Sequence, residues 1–364
     1  MSASIQDSAY MAKAIALARN GIYTTDPNPH VGCVLVKNGS IIAEGWTQRT
    51  GLAHAEVDAL AKAQDTQGAT AYVTLEPCSH YGRTAPCCDA LIAAGISRAV
   101  IAMSDPNPLV SGRGLQKMRA AGIEVVTGVL EQEAQQLNRG FFKRMQLGLP
   151  WITSKLAASM DGRTAMASGE SQWITSPQSR QDVHRFRAKS SAIVTGINTI
   201  LTDDPQLNAR VDFDLVHPVK VVLDSGLRTP LEAKILKSPG ETWIITGSDD
   251  KVKQQRLLDA GCKVWQVDTY EDRLNLPQVF KLLAEKEINT VWIEAGATLN
   301  GALLSANLVD EWLIYMAPCV LGDEGRGLFH LPGLEKMADK KQLNLINVRQ
   351  LGPDLRLTFT SQAQ

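Results

Sequence analysis

Apolar residues in the first half of the chain alternate between helical and strand-like spacing. DSAYMAKAIALARN has helical spacing and is expected to end at Gly21. VGCVLV and IIAEGW are β-rich runs joined by KNGS, in which Asn38-Gly39 is a hairpin turn signal. Further predicted elements are the HAEVDAL helix, the strand TAYVTL, a helix over about 85–94, the strand RAVIAM, the helix GRGLQKMRAAG, the strand IEVVTG and the helix LEQEAQQLNRGFFKRM. This alternation predicts a layered α/β domain with a largely parallel sheet after the opening hairpin.

The second half repeats the alternation after QLGLPW, which is the predicted junction. Its strand candidates are WITSKLAAS, SAIVTG, VKVVLD, TWIITG, CKVWQV, TVWIEAG and EWLIYMAP, with helices expected over 176–188, 250–260, 276–286 and 299–306. A chain of 364 residues is also long for one core. We therefore predict two α/β domains, 1–146 and 147–364.

Composition narrows the class of protein. Hydrophobic residues make up 44% and charged residues 21%, as in globular proteins, and the net charge is −1. This balance argues against a protein that holds a polynucleotide by its phosphates. The N-terminus has no signal-peptide pattern, and no apolar run is long enough to span a bilayer. Six cysteines, three of them in one short segment, do not form a disulfide framework. We expect a soluble cytoplasmic protein without membrane or nucleic-acid partners.

The clustered cysteines suggest a catalytic metal site. His54 precedes a predicted helix, and Cys78 and Cys87 follow it in TLEPCSHYGRTAPCCDALI. One imidazole and two thiolates leave the fourth position of a zinc ion open for water. Glu56, two residues after the histidine, can carry the proton of that water without being a ligand. His-x-Glu followed by Pro-Cys and a second Cys is typical of zinc nucleobase deaminases. The alternatives are a purely structural zinc or no metal.

The spacing of the two cysteines departs from the usual Cys-x-x-Cys. Eight residues separate Cys78 from Cys87, and we interpret them as an inserted loop at the edge of the pocket. His80, Arg83 and Thr84 in this loop could contact a hydrophilic substrate, or be ordinary solvated residues. Cys87 is preferred as the ligand because Cys88 would point about 100° further round the helix.

DPNPHVGCVLVKNG, HAEVDAL and TLEPCSHYGRTAPCCDALIAAGI together resemble the deaminase domain of the bacterial bifunctional riboflavin-biosynthesis proteins. The long spacing between the cysteines is a feature of this branch. The resemblance implies a cytidine-deaminase-like, three-layer α/β/α domain with one zinc ion per chain. It also implies substrate contacts from Asn28, His80, Arg83 and Thr84.

The second half contains weaker signals of its own. VWIEAGATLNGALL is a strand that runs into glycines at a helix start, where a phosphate could bind, although a helix-packing role is at least as plausible. KLAASMDGRTAM offers Lys155, and SSAIVTGINTILTDDPQLNAR offers Asp203 and Arg210 after a strand. All three segments follow predicted strands, so they could converge at the carboxyl ends of one sheet.

The ordered set KLAASMDGRTAMASGESQWIT, GINTILTDDPQLNAR, VVLDS, WIEAGATLNGALL and LIYMAPCVLGDEGRG resembles the reductase domain of the same family. This resemblance implies a dihydrofolate-reductase-like fold that uses NADPH. By position, the predicted cofactor contacts are Ala157, Trp173, Thr199, Asp203, Ser225, Gly296, Ala297, Thr298, Leu299, Asn300, Gly301 and Ala302. The predicted contacts to the sugar-phosphate substrate are Lys155, Ser171, Arg187, Leu207, Arg210 and Glu294. Arginine forks suit the phosphate, and a buried Glu294 suggests a ligand's hydroxyl groups or a cation.

The resemblance implies zinc-dependent deamination of 2,5-diamino-6-ribosylamino-4(3H)-pyrimidinone 5′-phosphate. NADPH-dependent reduction of 5-amino-6-(5-phosphoribosylamino)uracil would follow. The alternatives are a zinc-dependent deaminase of nucleic-acid bases with an accessory domain, and a zinc-stabilised binding protein without catalysis. The resemblance also favours a homo-oligomer, in which EWLIYMAP could form an intersubunit sheet.

Overall fold

The computed structural model describes residues 4–79, 86–107 and 111–361. The chain divides into two compact units. The first comprises Met1–Gly148 with Asp214–Val216, and the second comprises Leu149–Phe213 with His217–Gln364. Within the described ranges, no helix is long and apolar enough to cross a membrane.

The first unit contains six helices and five strands among its described residues. In chain order they are α1 Ile5–Ala18, β1 Gly32–Lys37, β2 Ser40–Trp46, α2 Ala55–Lys62, β3 Thr70–Val73, α3 Cys87–Ala93, β4 Arg98–Ile101, α4 Arg113–Ala120, β5 Glu124–Thr127, α5 Glu131–Leu137 and α6 Arg139–Leu147, and a short 3₁₀ helix, Arg19–Gly21, follows α1. The sheet order is β2-β1-β3-β4-β5. The opening hairpin is antiparallel, and β3, β4 and β5 are parallel, as the sequence predicts.

Local chemistry accounts for the first helix and the hairpin. Ser4 and Asp7 form a reciprocal capping box at the start of α1. Asn38 and Gly39 both have positive φ, 51° and 74°, as a two-residue hairpin turn requires. A glycine at position 45 lets α2 approach β2 closely, because a Cβ there would overlap the backbone of Ala55. This close approach sets the position of the start of α2.

The predicted single helix LEQEAQQLNRGFFKRM is in fact two helices, α5 and α6, which meet at Asn138. The Asn138 side chain is buried and binds both polar groups of the His30 backbone. Its Oδ1 accepts from His30 N at 2.7 Å, and its Nδ2 donates to His30 O at 2.8 Å. The spacing of apolar residues predicts one continuous helix here. The helix is interrupted at Asn138, where the side chain binds the backbone of His30, 108 positions away in the chain.

The second unit is built on one large sheet. Its elements are β6 Trp151–Ser159, β7 Arg163–Ala165, α7 Pro177–Ala188, β8 Ala192–Gly196, α8 Ile197–Asp203, β9 Val219–Leu223, α9 Lys234–Lys237, β10 Thr242–Thr246, α10 Lys251–Asp259, β11 Lys263–Gln266, β12 Thr269–Tyr270, β13 Arg273–Leu274, α11 Leu276–Glu285, β14 Thr290–Glu294, α12 Ala297–Ser305, β15 Glu311–Ala317, β16 Arg326–Gly327, the 3₁₀ helix Met337–Asp339, β17 Leu343–Leu351 and β18 Asp354–Ser361. The order is β11-β10-β9-β8-β14-β6-β15-β18-β17, and every pairing from β11 to β15 is parallel. The α/β fold predicted for each half is confirmed.

One expectation about the second half is wrong, and some of its elements were not predicted. EWLIYMAP is not available for an intersubunit sheet, because β15 pairs with β6 on one side and β18 on the other, all in one chain. The polar segment after SAIVTG begins with the short helix α8, which the sequence pattern did not predict. The hairpin of β17 and β18 was also not predicted, because β17 is exposed along most of its length and lacks the alternation of a half-buried strand.

Apolar side chains cover both faces of the large sheet. One cluster contains Val221, Phe280 and Trp312, and the other contains Ile193, Val222 and Trp292. Successive residues of β9 thus belong to opposite cores, as expected for a parallel strand buried on both faces. The carboxyl ends of the parallel strands are left for polar residues.

Candidate functional site

In the first unit, His54, Cys78 and Cys87 meet although they come from three different segments. His54 directly precedes α2, Cys78 follows Pro77 in the loop after β3, and Cys87 opens α3. The His54 Nδ1 atom lies 3.2 Å from Cys87 Sγ and 3.7 Å from Cys78 Sγ. The three donor atoms lie within 4.8 Å of one another. The structure therefore brings the three predicted ligands into one group.

The geometry of this group fits a tetrahedral zinc ion. With Zn–S distances of about 2.3 Å and Zn–N distances of about 2.0 Å, a tetrahedral ion holds sulfur and nitrogen about 3.5 Å apart. The two measured separations, 3.2 and 3.7 Å, lie close to this value. Cys88 belongs instead to the hydrophobic core, with its sulfur 3.8 Å from Asp89 Oδ1.

Hydrogen bonds to the sulfur of Cys78 favour its thiolate form. The Cys87 thiol donates to Cys78, and the Cys87 backbone N–H donates to the same sulfur at 3.3 Å. The bond from the Cys87 thiol contributes most, followed by the hydrogen bond with His54 and then by the Cys87 backbone N–H, and together they lower the pKa of Cys78 to about 4. The hydrogen bond with Cys78 in turn raises the pKa of His54. A thiolate is the form of cysteine that binds metal ions.

Glu56 lies beside the three candidate ligands in the first turn of α2. It is buried, and it shares a hydrogen bond with Cys87. Burial, followed by the charge of Cys78, raises the pKa of its carboxyl group to about 7. A carboxyl group with this environment can accept and release a proton near neutral pH.

Glu76 supports the cysteine loop and was not singled out from the sequence. Its buried carboxylate accepts four backbone N–H groups, those of Asp105 at 3.2 Å, Gly112 at 2.9 Å, Gly114 at 3.0 Å and Leu115 at 3.4 Å. It therefore holds the start of α4 against the segment that leads into Pro77 and Cys78. Only its place directly before Pro-Cys could have suggested this role.

The predicted substrate contacts of the first unit are only partly described. Asn28 is half-buried and donates its backbone N–H to Thr25 O at 2.8 Å. Thr25 also binds His30 Nδ1 through its hydroxyl group at 2.6 Å, so the segment around Asn28 is anchored. Three other predicted contacts, His80, Arg83 and Thr84, lie outside the described residues.

The second unit contains a cavity of about 1220 Å³ at the carboxyl ends of β8, β9 and β14. Its volume exceeds the 300–1,000 Å³ that is usual for a site holding one small molecule. All the residues predicted to contact the cofactor or the sugar phosphate line it, except Gly301. The segments that follow separate strands in the sequence thus converge on one space.

Gly301 has a packing role rather than a place in the cavity wall. A Cβ at this position would overlap the backbone carbonyl of His330, so only glycine lets α12 approach that loop. The packing alternative thus has direct structural support at Gly301, and the cofactor contact predicted for this residue stays a prediction. Gly296, directly before α12, does line the cavity, and a Cβ added there would meet no atom within 4 Å.

The segment leading into α12 is suited to an anionic group. Residues Gly296–Ala297 bring the free backbone N–H groups of a nine-residue helix to the cavity. Asn300 fixes the segment, because its Nδ2 donates to Ala295 O at 2.9 Å and its Oδ1 accepts from Ser154 at 2.8 Å. The diphosphate of a dinucleotide would be stabilised by such a helix terminus.

Glu294 and Arg187 form a bidentate ion pair at the cavity wall. Arg187 Nε and Nη2 donate to the two carboxylate oxygens at 2.6 and 2.8 Å, and Trp292 Nε1 donates to Oε1 at 2.8 Å. Burial acts to raise the pKa of Glu294, but the charge and hydrogen bonds of Arg187, with smaller contributions from Lys155 and Trp292, together lower it to about 2. We expected the guanidinium of Arg187 to bind the substrate's phosphate. In the structure it is the cation that balances the buried carboxylate of Glu294.

Other predicted contacts occupy distinct parts of the wall. Lys155 pairs in register with Glu294 across neighbouring strands, and burial lowers the pKa of its ammonium group. Trp173 is 69% exposed, with the guanidinium of Arg180 4.6 Å from its ring. Ser225 follows β9, and its carbonyl accepts from Thr246 Oγ1 at 3.1 Å.

Comparison with known proteins agrees with these two sites. Residues 4–103 match the family model of the cytidine and deoxycytidylate deaminase zinc-binding region, and residues 150–357 match that of the RibD C-terminal domain. The chain is 50% identical to riboflavin biosynthesis protein RibD of Escherichia coli, over 97% of this chain and 99% of that protein. It is 46% identical to RibD of Haemophilus influenzae, over 98% of each chain.

Solved structures show the same fold over nearly the whole chain. Acinetobacter baumannii RibD has a TM-score of 0.91 at 45% identity, covering 98% of this chain and 99% of that one. A diaminohydroxyphosphoribosylaminopyrimidine deaminase/5-amino-6-(5-phosphoribosylamino)uracil reductase from Thermotoga maritima has a TM-score of 0.86 at 31% identity, with the same coverage. Fold and sites define a protein that joins a cytidine-deaminase-like zinc-binding domain to a RibD-type reductase domain. The chain belongs to the RibD family of riboflavin biosynthesis proteins.

Proposed function

We propose that the chain catalyses two consecutive steps of riboflavin biosynthesis. The first is hydrolytic deamination of 2,5-diamino-6-ribosylamino-4(3H)-pyrimidinone 5′-phosphate. The second is NADPH-dependent reduction of 5-amino-6-(5-phosphoribosylamino)uracil. The proposal rests on one observation. A single chain that is 50% identical to a RibD protein contains both the group of His54, Cys78 and Cys87 and the large cavity of the second unit. We assign the first step to residues 1–146 and the second to residues 147–364.

In the first step, His54, Cys78 and Cys87 would hold one zinc ion. A bound zinc ion supplies a Lewis acid that eases ionisation of a water molecule at its open position. Glu56 takes a proton from the attacking water and delivers it to the leaving amine, so that C2 loses ammonia and gains oxygen. Burial suits Glu56 to both transfers, because it brings the pKa of the carboxyl group close to the working pH. Asn28 and the loop residues His80, Arg83 and Thr84 would orient the pyrimidine ribose phosphate.

In the second step, the wall of the cavity places the sugar relative to the cofactor. When bound, NADPH supplies the hydride that adds to C1′ of the ring-opened imine, and the imine nitrogen takes up a proton from solvent. The start of α12 would hold the cofactor's diphosphate, and Ala157 and Trp173 would contact the cofactor from the cavity wall. Arg210 binds the 5′-phosphate of the substrate. Glu294, held in orientation by Arg187, accepts hydrogen bonds from the sugar hydroxyls.

Two assays on the purified protein test this proposal. Ammonia release from the diaminopyrimidine phosphate measures the first step, and NADPH oxidation with the ribosylaminouracil phosphate measures the second. Glu56→Gln should strongly slow only ammonia release, and Arg210→Ala should raise only the KM for the second substrate. Loss of both activities from either change in a folded protein would refute the two-site assignment. Ammonia release from RNA, but not from the small substrate, would favour the nucleic-acid deaminase instead.

We further propose that the protein forms homo-oligomers through the second unit. Strand β17 is an edge of the large sheet, and Leu345, Ile346 and Val348 on it are 52–55% exposed. An edge strand with exposed apolar side chains favours pairing with another chain unless it is covered. Sedimentation should show a multimer for the wild type and a smaller species for Ile346→Lys, and a monomeric wild type would contradict this proposal.

A further inference from the structure

Helix α7 presents three basic side chains to the cavity of the second unit. Arg180, His184 and Arg187 all line it, and their spacing of four and three residues places them on one face of the helix. His184 is not among the residues assigned above to either the cofactor or the substrate. It lies against Arg210, which also lines the cavity.

Two N–H groups of the Arg210 guanidinium converge on the same nitrogen of His184. Nε lies 3.3 Å and Nη2 lies 3.1 Å from His184 Nε2. The backbone N–H of Arg210 also lies 3.2 Å from the other ring nitrogen, Nδ1. The backbone carbonyl of Asn208 accepts a hydrogen bond from the ring, and it accepts another from Arg187 Nη1 at 3.0 Å. His184 thus connects the two arginines through Asn208.

These contacts determine which ring nitrogen carries the proton. A neutral imidazole has only one acceptor nitrogen, so it cannot accept from Arg210 at both positions. Two donors of a cationic group meet at Nε2, which makes Nε2 the better acceptor. In this neutral tautomer the proton lies on Nδ1. Burial, and then the charges of Arg187 and Arg210, lower the pKa of His184 to about 4, so the ring is neutral at pH 7 and can accept.

We propose that His184 is a positioning residue of the reductase site, which holds the Arg210 guanidinium in place for the 5′-phosphate of the substrate. This inference rests on the reductase function proposed above. Arg210 is exposed, and an exposed arginine must lose much rotamer freedom before it can bind a phosphate. The His184 contact restricts Arg210 before the substrate arrives, which lowers the cost of binding. The remaining N–H groups of the guanidinium stay available for phosphate oxygens.

Two substitutions of similar polarity separate this role from general packing. In His184→Gln the amide oxygen can reach the place of Nε2, whereas in His184→Asn the shorter amide reaches only the place of Nδ1. We expect His184→Asn to raise the KM for the phosphorylated substrate by about tenfold, the loss of roughly one hydrogen bond to a charged group. His184→Gln should keep this KM within about threefold of the wild type, since it restores an acceptor for Arg210. The kcat and the KM for NADPH should change little in both variants.

Three controls make the result specific. Arg185→Gln removes an exposed charge from the same helix that does not line the cavity, and it should leave the KM unchanged. A dephosphorylated substrate should show the same KM with wild type and His184→Asn. In an Arg210→Gln background, His184→Asn should add no further increase.

The KM measurements can contradict the positioning role of His184 without contradicting the proposed reductase function. Equal KM values for the Gln and Asn variants, or an increase that persists without the phosphate, would overturn the positioning role of His184. A wild-type protein that does not oxidise NADPH with the phosphorylated substrate would instead overturn the proposed function. Circular dichroism and NADPH affinity, measured on the same samples, verify that each variant is folded.

Discussion

The pair of Glu294 and Arg187 allows a quantitative prediction for the substitution Glu294→Gln. The two side chains are only 14% and 13% exposed, and two hydrogen bonds join them. The substitution keeps the size of the side chain but removes the negative charge. It leaves the guanidinium of Arg187 buried without a counter-ion, and an unpaired buried charge strongly destabilises the folded state.

The expected loss of stability can be obtained in two ways. The folded state lowers the pKa of Glu294 from 4.5 to about 2, and a shift of one unit corresponds to about 1.4 kcal/mol, which gives roughly 3 kcal/mol. Removing one partner of a buried ion pair typically costs about 3–5 kcal/mol. We therefore expect the free energy of unfolding of the second unit to fall by about 3 kcal/mol at pH 7.

The effect should depend on pH in a defined direction. Because the pKa of Glu294 is lower in the folded state, its contribution is complete above about pH 4.5 and is lost as the pH falls towards 2. The difference between wild type and Glu294→Gln should stay constant from about pH 5 to 8 and shrink below about 4.5.

Urea unfolding followed by tryptophan fluorescence is a suitable assay, because six of the seven tryptophans lie in the second unit and only Trp46 lies in the first. Glu232→Gln is a matched control at an exposed pair with Lys237, and it should leave the midpoint unchanged. Replacing both Arg187 and Glu294 with methionine should restore most of the stability, since no buried charge remains. An unfolding free energy of Glu294→Gln within about 1 kcal/mol of the wild type would refute the reasoning.

Three further predictions follow from the two sites. Cys78→Ser should lose both zinc, measured by metal analysis, and deamination, and a variant that keeps both would exclude Cys78 as a ligand. Glu56→Gln should retain zinc while deamination falls by about 10² to 10⁴-fold, and near-normal turnover would remove Glu56 from the mechanism. Gly301→Ala should destabilise the second unit by about 1–3 kcal/mol in the urea assay, despite a better helix propensity, because the new Cβ overlaps His330. Gly296→Ala, which meets no atom, is its control, and equal stability of the two variants would contradict the packing argument.

Much of the first site could be predicted because its signals are local in the sequence. His54 and Glu56 lie two residues apart, and the ligand types restrict the chemistry to a few metals. The structure places His54, Cys78 and Cys87 within 4.8 Å of one another. The supporting role of Glu76 was not predictable, because its four donors come from a segment about 30–40 residues further along the chain.

For the site in the second unit, the sequence predicted which segments converge but not which side chains pair there. The segments that contain the ends of β6, β8 and β14 were expected at one end of a sheet, because parallel strands have a common direction. They do line one cavity, but the pattern did not reveal that Arg187 would bind Glu294 across 107 positions of sequence. Nor did it reveal the contact between His184 and Arg210.

By itself, the sequence determined the helices and strands with clear apolar periodicity, the order of the two α/β halves and the set of metal-ligand residue types. These properties depend on neighbours within a few turns or strand lengths, so local spacing is enough to predict them. Tertiary structure decided that β15 is an interior strand, that a helix breaks at Asn138, and that the charge of Glu294 is balanced by Arg187. Those outcomes depend on which distant segments the chain path brings together, and the free energy of a buried polar group depends on the partner that it meets there.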